Sequence, residues 1–263
     1  MPETSGRPTF LIHHLSTVDS TNTYLKKMLQ APEWTVVTAD EQTAGRGRHA
    51  NHWHSSVGDG LYLSVLLRPT AEPGSIPRGM GLLSLLAAVA AAEALEGLGL
   101  RGIDIKWPND LLVEDRKIGG ILIETETSAS GLLERAILGI GINLNQVEFP
   151  PPLDETATSY RLETGKRLEL GLVREAFLER LSRWYRRWQE GEFEEIRRCW
   201  LASSSYGSGR VVEVTVAGVR VEGVTAGLDS EGGLLLVTSG GEVRTIVTGE
   251  VRRLRPFEGG RAK

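Results

Sequence analysis

Residues 106–123 read KWPNDLLVEDRKIGGILI. Leu111-Leu112-Val113 and the run Ile118 to Ile123 are apolar and β-prone, and the polar trio Glu114-Asp115-Arg116 separates them, the pattern of a β-hairpin. Pro108 biases Trp107 away from helix, so Lys106 lies on extended backbone and the Pro-Asn-Asp step through Asn109 reads as a turn. The hairpin therefore has a lysine at each end, Lys106 and Lys117. Gly119-Gly120 inside the second strand has no side chains to pack, which often marks a close approach of a ligand to the main chain. Two cations on a rigid sheet beside bare backbone suit an anionic small molecule. Taken alone, the same residues also fit a plain hairpin flanked by solvated lysines.

Upstream, residues 42–53 read QTAGRGRHANHW, after the apolar run Thr35 to Ala39. Gly45 and Gly47 alternate with Arg46 and Arg48, so main-chain amides and two guanidiniums can face one anion. Arginine suits that task because its planar fork grips carboxylate or phosphate bidentately and stays charged. The stretch lacks the lysine and hydroxyl of a Walker A loop. It meets the loose G-x-G-x-x-G/A dinucleotide pattern at Gly45, Gly47 and Ala50. However, His49 to Ser55 has no helical apolar period, and no acidic residue near position 65 is placed to hold a ribose. An anion-gripping loop is the favoured reading, with a solvated basic loop the alternative.

The 263 residues are enough for a large core and two folding units. A net charge of −4 speaks against a general nucleic-acid binder. The first ten residues, MPETSGRPTF, lack the basic-then-apolar pattern of a signal peptide. Leu82 to Ala92 is too short to span a bilayer and reads as a buried Ala/Leu helix, so no membrane association is expected. The single cysteine, Cys199, rules out an internal disulfide framework and fits a cytoplasmic protein. His13-His14 and the trio His49, His52 and His54 have no accompanying carboxylate or thiol cluster, so no protein-held metal site is expected.

Asp19-Ser20-Thr21-Asn22 are all residues favoured at helix N-caps, and Leu25, Met28 and Leu29 follow at helical spacing. Strands are expected at Thr35–Ala39, Leu61–Leu67, Ile103–Trp107, Leu111–Val113, Lys117–Ile123 and Leu133–Ile142. Val173, Phe177, Leu181, Trp184 and Trp188 recur on one side of a helix over Gly171–Trp188, a core stripe rather than a cofactor site. After the Ser/Gly run at 203–209 the texture changes. Val212, Val214 and Val216 alternate, and glycine turns follow at close spacing, which reads as a small β-barrel.

The ordered set of motifs resembles the biotin protein ligases. They are STN at Ser20–Asn22, EQTAGRGR at Glu41–Arg48 with the following Trp53, and LYLSVLLRP at Leu61–Pro69. Then come KWPNDLLV at Lys106–Val113, KIGGILIE at Lys117–Glu124 and GIGIN at Gly139–Asn143. The resemblance implies an α+β fold: a mixed-sheet catalytic domain of the biotin/lipoate ligase type over residues 1–207, then an SH3-like barrel over 208–263. It implies a biotin–[biotin carboxyl-carrier protein] ligase that uses ATP and Mg2+, forms biotinyl-5′-AMP and transfers biotin to a lysine of a biotin carboxyl carrier protein domain. Lys117 would bridge carboxylate and α-phosphate, and Arg46 and Arg48 would hold these anions and order the loop. Ser20, Thr21, Asn22, Gln42, Gly45, Gly47, Gly119, Gly120 and Ile121 would join them around biotin. Arg48, Trp53, Lys106, Asn109 and Asn143 would serve ATP.

Some of these ligases carry an N-terminal winged helix. Here the STN motif comes after nineteen residues, so a monofunctional enzyme without DNA binding is expected. Oligomeric state stays open, a homodimer included. One departure stands out: His49-Ala50-Asn51-His52 replaces the small and basic residues that usually lead to the tryptophan. Lipoate or octanoate ligases share the scaffold but would show an RRxSGGGxVxHD-like motif in place of GRGRHANHW. A biotin sensor without chemistry is the rival from another class.

Overall fold

A computed structural model describes residues 7–48, 51–69, 78–128, 133–216 and 218–253. In chain order the described elements begin with β1 (Leu11–Val18), α1 (Thr21–Lys27), β2 (Thr35–Gln42), β3 (Gly60–Leu67) and α2 (Leu82–Gly97). Next come β4 (Ile103–Lys106), β5 (Asp110–Val113), β6 (Arg116–Thr127), β7 (Leu133–Asn143), α3 (Tyr160–Thr164), α4 (Leu170–Gln189) and α5 (Phe193–Ala202). The chain closes with β8 (Ser208–Val216), β9 (Val219–Leu228), β10 (Leu234–Val237), β11 (Val243–Ile246) and β12 (Glu250–Arg253).

Strands β1 to β7 form one mixed sheet in the order β1-β2-β3-β7-β6-β5-β4. Only the β1–β2 pairing is parallel among the described strands. All eight residues of β3 are buried, which explains why GLYLSVLL has no polar alternation: helices cover both faces there. On one face α2, α4 and α5 share a core with Val36, Leu63, Val65 and Leu138. On the other, Leu25 of α1 packs with Val37, Leu66 and Ile137. Helix α2 is apolar all round, as befits a helix enclosed on every side. Strands β8 to β12 form the second sheet, antiparallel throughout, in the order β11-β10-β9-β8-β12. The fold is therefore α+β, with the small all-β unit placed where the alternating valines indicated.

Local differences from the sequence reading, in the two turns and in a bulge, matter for the site. The expected hairpin with a lysine at each end is a three-stranded meander, because Lys106 pairs with Asp110 across a separate β4–β5 turn. The β5–β6 turn is tighter than expected: Glu114 and Asp115 adopt φ of 50° and 63°, and Arg116 already belongs to β6. Positive φ at both central residues suits the right-handed twist of a two-residue hairpin. The other difference is a bulge. Leu111 faces Gly119 but Leu112 faces Lys117, so Ile118 is the extra residue. A bulge re-aims the side chains beyond it. Lys117 is an odd number of residues from Gly120, yet its Cε lies 3.1 Å from where a Gly120 Cβ would be.

Candidate active site

The floor of the principal cavity is a bare stretch of sheet. Gly120 pairs with Gly141 across β6 and β7, and Leu122 with Gly139. A methyl group on Gly139 would overlap Asn22 Oδ1, and one on Gly141 would overlap the Trp53 indole. Side chains therefore lie directly on main chain here, the close approach that glycine alone permits. The GRGR segment folds over this floor as a small hairpin. Gly47 N donates to Asn51 O at 2.7 Å, Trp53 N donates to Gly45 O at 2.9 Å, and Arg46 bridges His52.

One end of the cavity is polar and chained together. Gln42 Nε2 donates to Ser55 Oγ at 3.2 Å, and its Oε1 accepts from Thr21 N at 2.9 Å. The Thr21 and Ser64 hydroxyls are 2.7 Å apart, and Ser64 Oγ donates to Asn22 Oδ1 at 2.5 Å. Asn22 Nδ2 then donates to Glu124 Oε2 at 2.9 Å, which also accepts from Arg46 Nη2 at 2.5 Å. Ser20 holds the N-cap position of α1, but its hydroxyl makes no capping bond and borders the cavity. Thr21, Asn22, Gln42, Ser64 and Glu124 come from α1, β2, β3 and β6, so their side chains start from fixed backbone, and the loop residues Arg46 and Ser55 bond to them. They can read a ligand that presents both donors and acceptors.

The other end is cationic. Lys117 Nζ is 2.5 Å from Asp110 Oδ1, and Lys106 Nζ is 3.7 Å from Asp110 Oδ2. Lys117 also stands 5.5 Å above the Trp53 ring, a cation–π distance. Asn109 is locked to β6: its Nδ2 donates to Ile121 O at 2.6 Å, and Ile121 N returns a bond to Asn109 O at 2.9 Å. Arg48 reaches across to the second sheet, with Nη2 donating to Thr248 Oγ1 at 3.0 Å and Nη1 to Gly249 O at 3.4 Å. Burial lowers the Arg48 pKa, an effect that Asp110 partly opposes. Gly249, Glu250 and Val251 complete the wall.

Of the residues singled out in the sequence, Ser20, Thr21, Asn22, Gln42, Arg46, Gly47, Arg48, Trp53, Lys106, Asn109, Lys117, Gly120 and Ile121 all border this cavity. Three do not. Gly119 faces the opposite side of the sheet, toward Leu111, because adjacent strand residues alternate. Gly45 lets the Trp53 carbonyl approach, 2.6 Å from where its Cβ would stand. Asn143 is a buried clip, donating to Thr158 O at 3.1 Å and to Lys117 O at 3.4 Å. The two arginines have different partners: Arg46 lies at the polar end and Arg48 against the second sheet. Of the departing tetrapeptide, Asn51 and His52 border the cavity, while His49 and Ala50 lie outside the described residues. Asp110, Glu124, Ser64, Gly139, Gly141 and the Thr248–Val251 segment that leads into β12 are additions that the sequence reading missed. Among the described residues no group of three or more histidine, cysteine or acidic side chains is placed to hold a metal ion.

The profile of the Biotin/lipoate A/B protein ligase family matches residues 15–143. The chain is 38% identical over 213 residues to the Bifunctional ligase/repressor BirA of Bacillus subtilis (strain 168), covering 80% of this chain and 64% of that protein. It thus spans less than two thirds of that relative's length. It is 33% identical over 235 residues to the Biotin--[acetyl-CoA-carboxylase] ligase of Paracoccus denitrificans, covering 84% of this chain and 92% of that protein. Among solved structures, the biotin protein ligase from Aquifex aeolicus in complex with biotin and ATP superposes with a TM-score of 0.80 at 31% identity, covering 92% of this chain and 99% of that one. With these matches added to the motif order and the site, the chain belongs to the biotin protein ligases of the biotin/lipoate A/B protein ligase family.

Proposed function

We propose that this chain is an ATP-dependent biotin protein ligase. It joins the biotin carboxylate to the α-phosphate of ATP, releasing pyrophosphate, and passes the biotinyl group from biotinyl-5′-AMP to a lysine amine of a biotin carboxyl carrier protein domain, releasing AMP. The observation that carries the reading is the placing of Lys106 and Lys117 on Asp110, beside a bare glycine floor whose far end is a fixed polar chain. That arrangement fits a ligand with a polar ring at one end, an apolar tail over glycine and a carboxylate at the other. It also fits what the first step requires. Carboxylate and phosphate repel by roughly 4 kcal/mol at ~4 Å and an effective dielectric of about 20. An ammonium between them removes a barrier of that order and needs no reorganisation if already in place. Lys117 has this role, with Asp110 keeping both ammoniums at the cationic end. Gln42, Thr21, Asn22 and Arg46 serve the ring, and Lys106, Trp53 and Asn109 the nucleotide.

The donor set also fits Mg2+ arriving with ATP. Among the described residues Asp110 is the carboxylate placed between the lysines, so the ion would keep mostly phosphate and water ligands, its usual habit. We assign residues 1–207 to catalysis and 208–263 to a barrel that closes the nucleotide side, where Gly249 to Val251 border the cavity. No described helix is long and apolar enough to cross a membrane. A cytoplasmic setting fits an ATP-consuming reaction and the single free thiol of Cys199.

Pyrophosphate–ATP exchange tests the reading. Exchange that requires biotin, and that lipoate or octanoate fails to support, is the expected result. A chain that only senses biotin exchanges nothing.

A further inference from the structure

Glu124 has no role in the chemistry above. It shares the cavity-side face of β6 with Gly120 and Leu122, but it stands behind the cavity wall, with its side chain 21% exposed. One oxygen, Oε2, accepts two bonds from two separate motifs: Asn22 Nδ2 at 2.9 Å and Arg46 Nη2 at 2.5 Å. Both donors border the cavity where Glu124 does not. Asn22 arrives on the short helix α1, only seven residues long, and its Oδ1 is already committed to Ser64. Arg46 arrives on a glycine-flanked loop whose base is held by main chain, Ala44 N donating to Asp19 O at 2.8 Å, and whose side-chain tie at this end is to Glu124. Its side chain is 42% exposed, and its described ion pair is with Glu124.

We infer that Glu124 is a positioning residue: one carboxylate oxygen ties the start of α1 to the GRGR loop and so builds the polar end of the cavity. The inference rests on the reading of that end as the biotin-ring site. Two side chains presented to a ligand must be held in register by something that the ligand does not touch, or each would lose rotamer freedom on binding. A carboxylate suits the task because it is an acceptor only. It fixes which way the Asn22 amide faces, and it binds a guanidinium about twice as strongly as a neutral acceptor would. Glutamine at 124 keeps the shape and can turn its one carbonyl to both donors, but it loses the negative charge that makes the bond to Arg46 charge-assisted on both sides. The consequence is an Arg46 loop held less firmly to the sheet and to the start of α1.

The test uses the full chain with Glu124→Gln and Glu124→Asp. For Glu124→Gln the expected result is a KM for biotin, in pyrophosphate exchange, raised roughly tenfold, with the maximal rate held within about twofold. The expected KM for ATP is that of the unaltered chain. A second readout needs no substrate. Trypsin cleavage after Arg46 and Arg48 should be several times faster in Glu124→Gln than in the unaltered chain, and Glu124→Asp should fall between. If Glu124→Gln does not fold, Glu124→Asp decides on the same two measurements. A biotin KM and a cleavage rate both within twofold of the unaltered chain would overturn the inference. So would a loss of maximal rate at unchanged KM, which places Glu124 in the chemistry or in general stability. Absence of biotin-dependent exchange in the unaltered chain would sink the ligase reading instead. The cleavage comparison would still decide whether Glu124 holds the loop.

Discussion

Lys117 is the residue on which most depends. Its ammonium sits between the Asp110 carboxylate and the Trp53 ring, turned onto the glycine floor by the bulge at Ile118. Lys117→Ala should leave the fold intact, since the side chain is 37% exposed and lies in no apolar cluster. It should remove about 3–4 kcal/mol of transition-state stabilisation. At ~1.4 kcal/mol per decade, biotin-dependent pyrophosphate release falls by at least two orders of magnitude. Release at half the rate of the unaltered chain would take Lys117 out of the mechanism. The two lysines, Gly47 and Gly120 were legible in the sequence because cations beside residues without side chains stand out, whereas Gly139 and Gly141 were not. Asp110 and Glu124 were not, because an acidic residue in a polar turn or at a strand end looks like any solvated charge until the fold gives it partners. Gly119 was misplaced for a simpler reason: adjacent strand residues face opposite ways, and only the pairing of Gly120 with Gly141 tells which of the two glycines faces the cavity.

Among the elements, the two central strands β6 and β7 decide how deep the cavity is. Gly139 leaves the space that Asn22 Oδ1 occupies, and Asn22 is pinned from both sides by Ser64 and Glu124. Gly139→Ala therefore cannot be relieved by a simple rotamer change. Overpacking of this kind costs about 1–3 kcal/mol. Thermal unfolding should drop by roughly 2–4 °C per kcal/mol, and biotin affinity by roughly tenfold as Asn22 is displaced. Calorimetry of the variant with and without biotin checks both, and an unchanged affinity would mean that Asn22 does not touch the ligand. Most strands could be found in the sequence because β3 and most of β7 are runs buried on both faces, and β6 carries the apolar run Ile118 to Ile123. Strand β1 escaped notice. LIHHLSTV lies at the sheet edge, Leu11 and Ile12 are exposed, and its pairing is parallel to a strand 24 residues further along, as in Leu11 with Thr35. Its local pattern carries little trace of such a partner.

For the whole molecule, the second sheet is bound to the first at the back of the site and at the front. At the back, the buried Trp107 indole donates to Gly232 O at 3.0 Å, and a single apolar cluster runs from Leu82 and Leu85 to Leu234 and Leu236. At the front, Thr248 and Gly249 hold the Arg48 guanidinium over the cavity. The back contact makes the barrel a fixed support, so the front contact can act as a latch on the loop. Arg48→Gly removes both bonds to the barrel and adds backbone freedom to an already glycine-rich segment. Both changes favour an open loop, and closed, water-excluding loops are what retain reactive intermediates. The variant should release biotinyl-5′-AMP faster and label bystander proteins. Incubation with biotin, ATP, Mg2+ and a lysine-rich bystander, followed by a probe for biotin, measures this directly. Thr248→Val, which removes one acceptor and leaves the loop sequence intact, should raise labelling by a smaller amount. Bystander labelling no higher than with the unaltered chain, together with unchanged adenylate dissociation, would mean that the barrel does not latch the loop. The loop would then be held by Arg46 on Glu124, by Trp53 and by its own backbone amides.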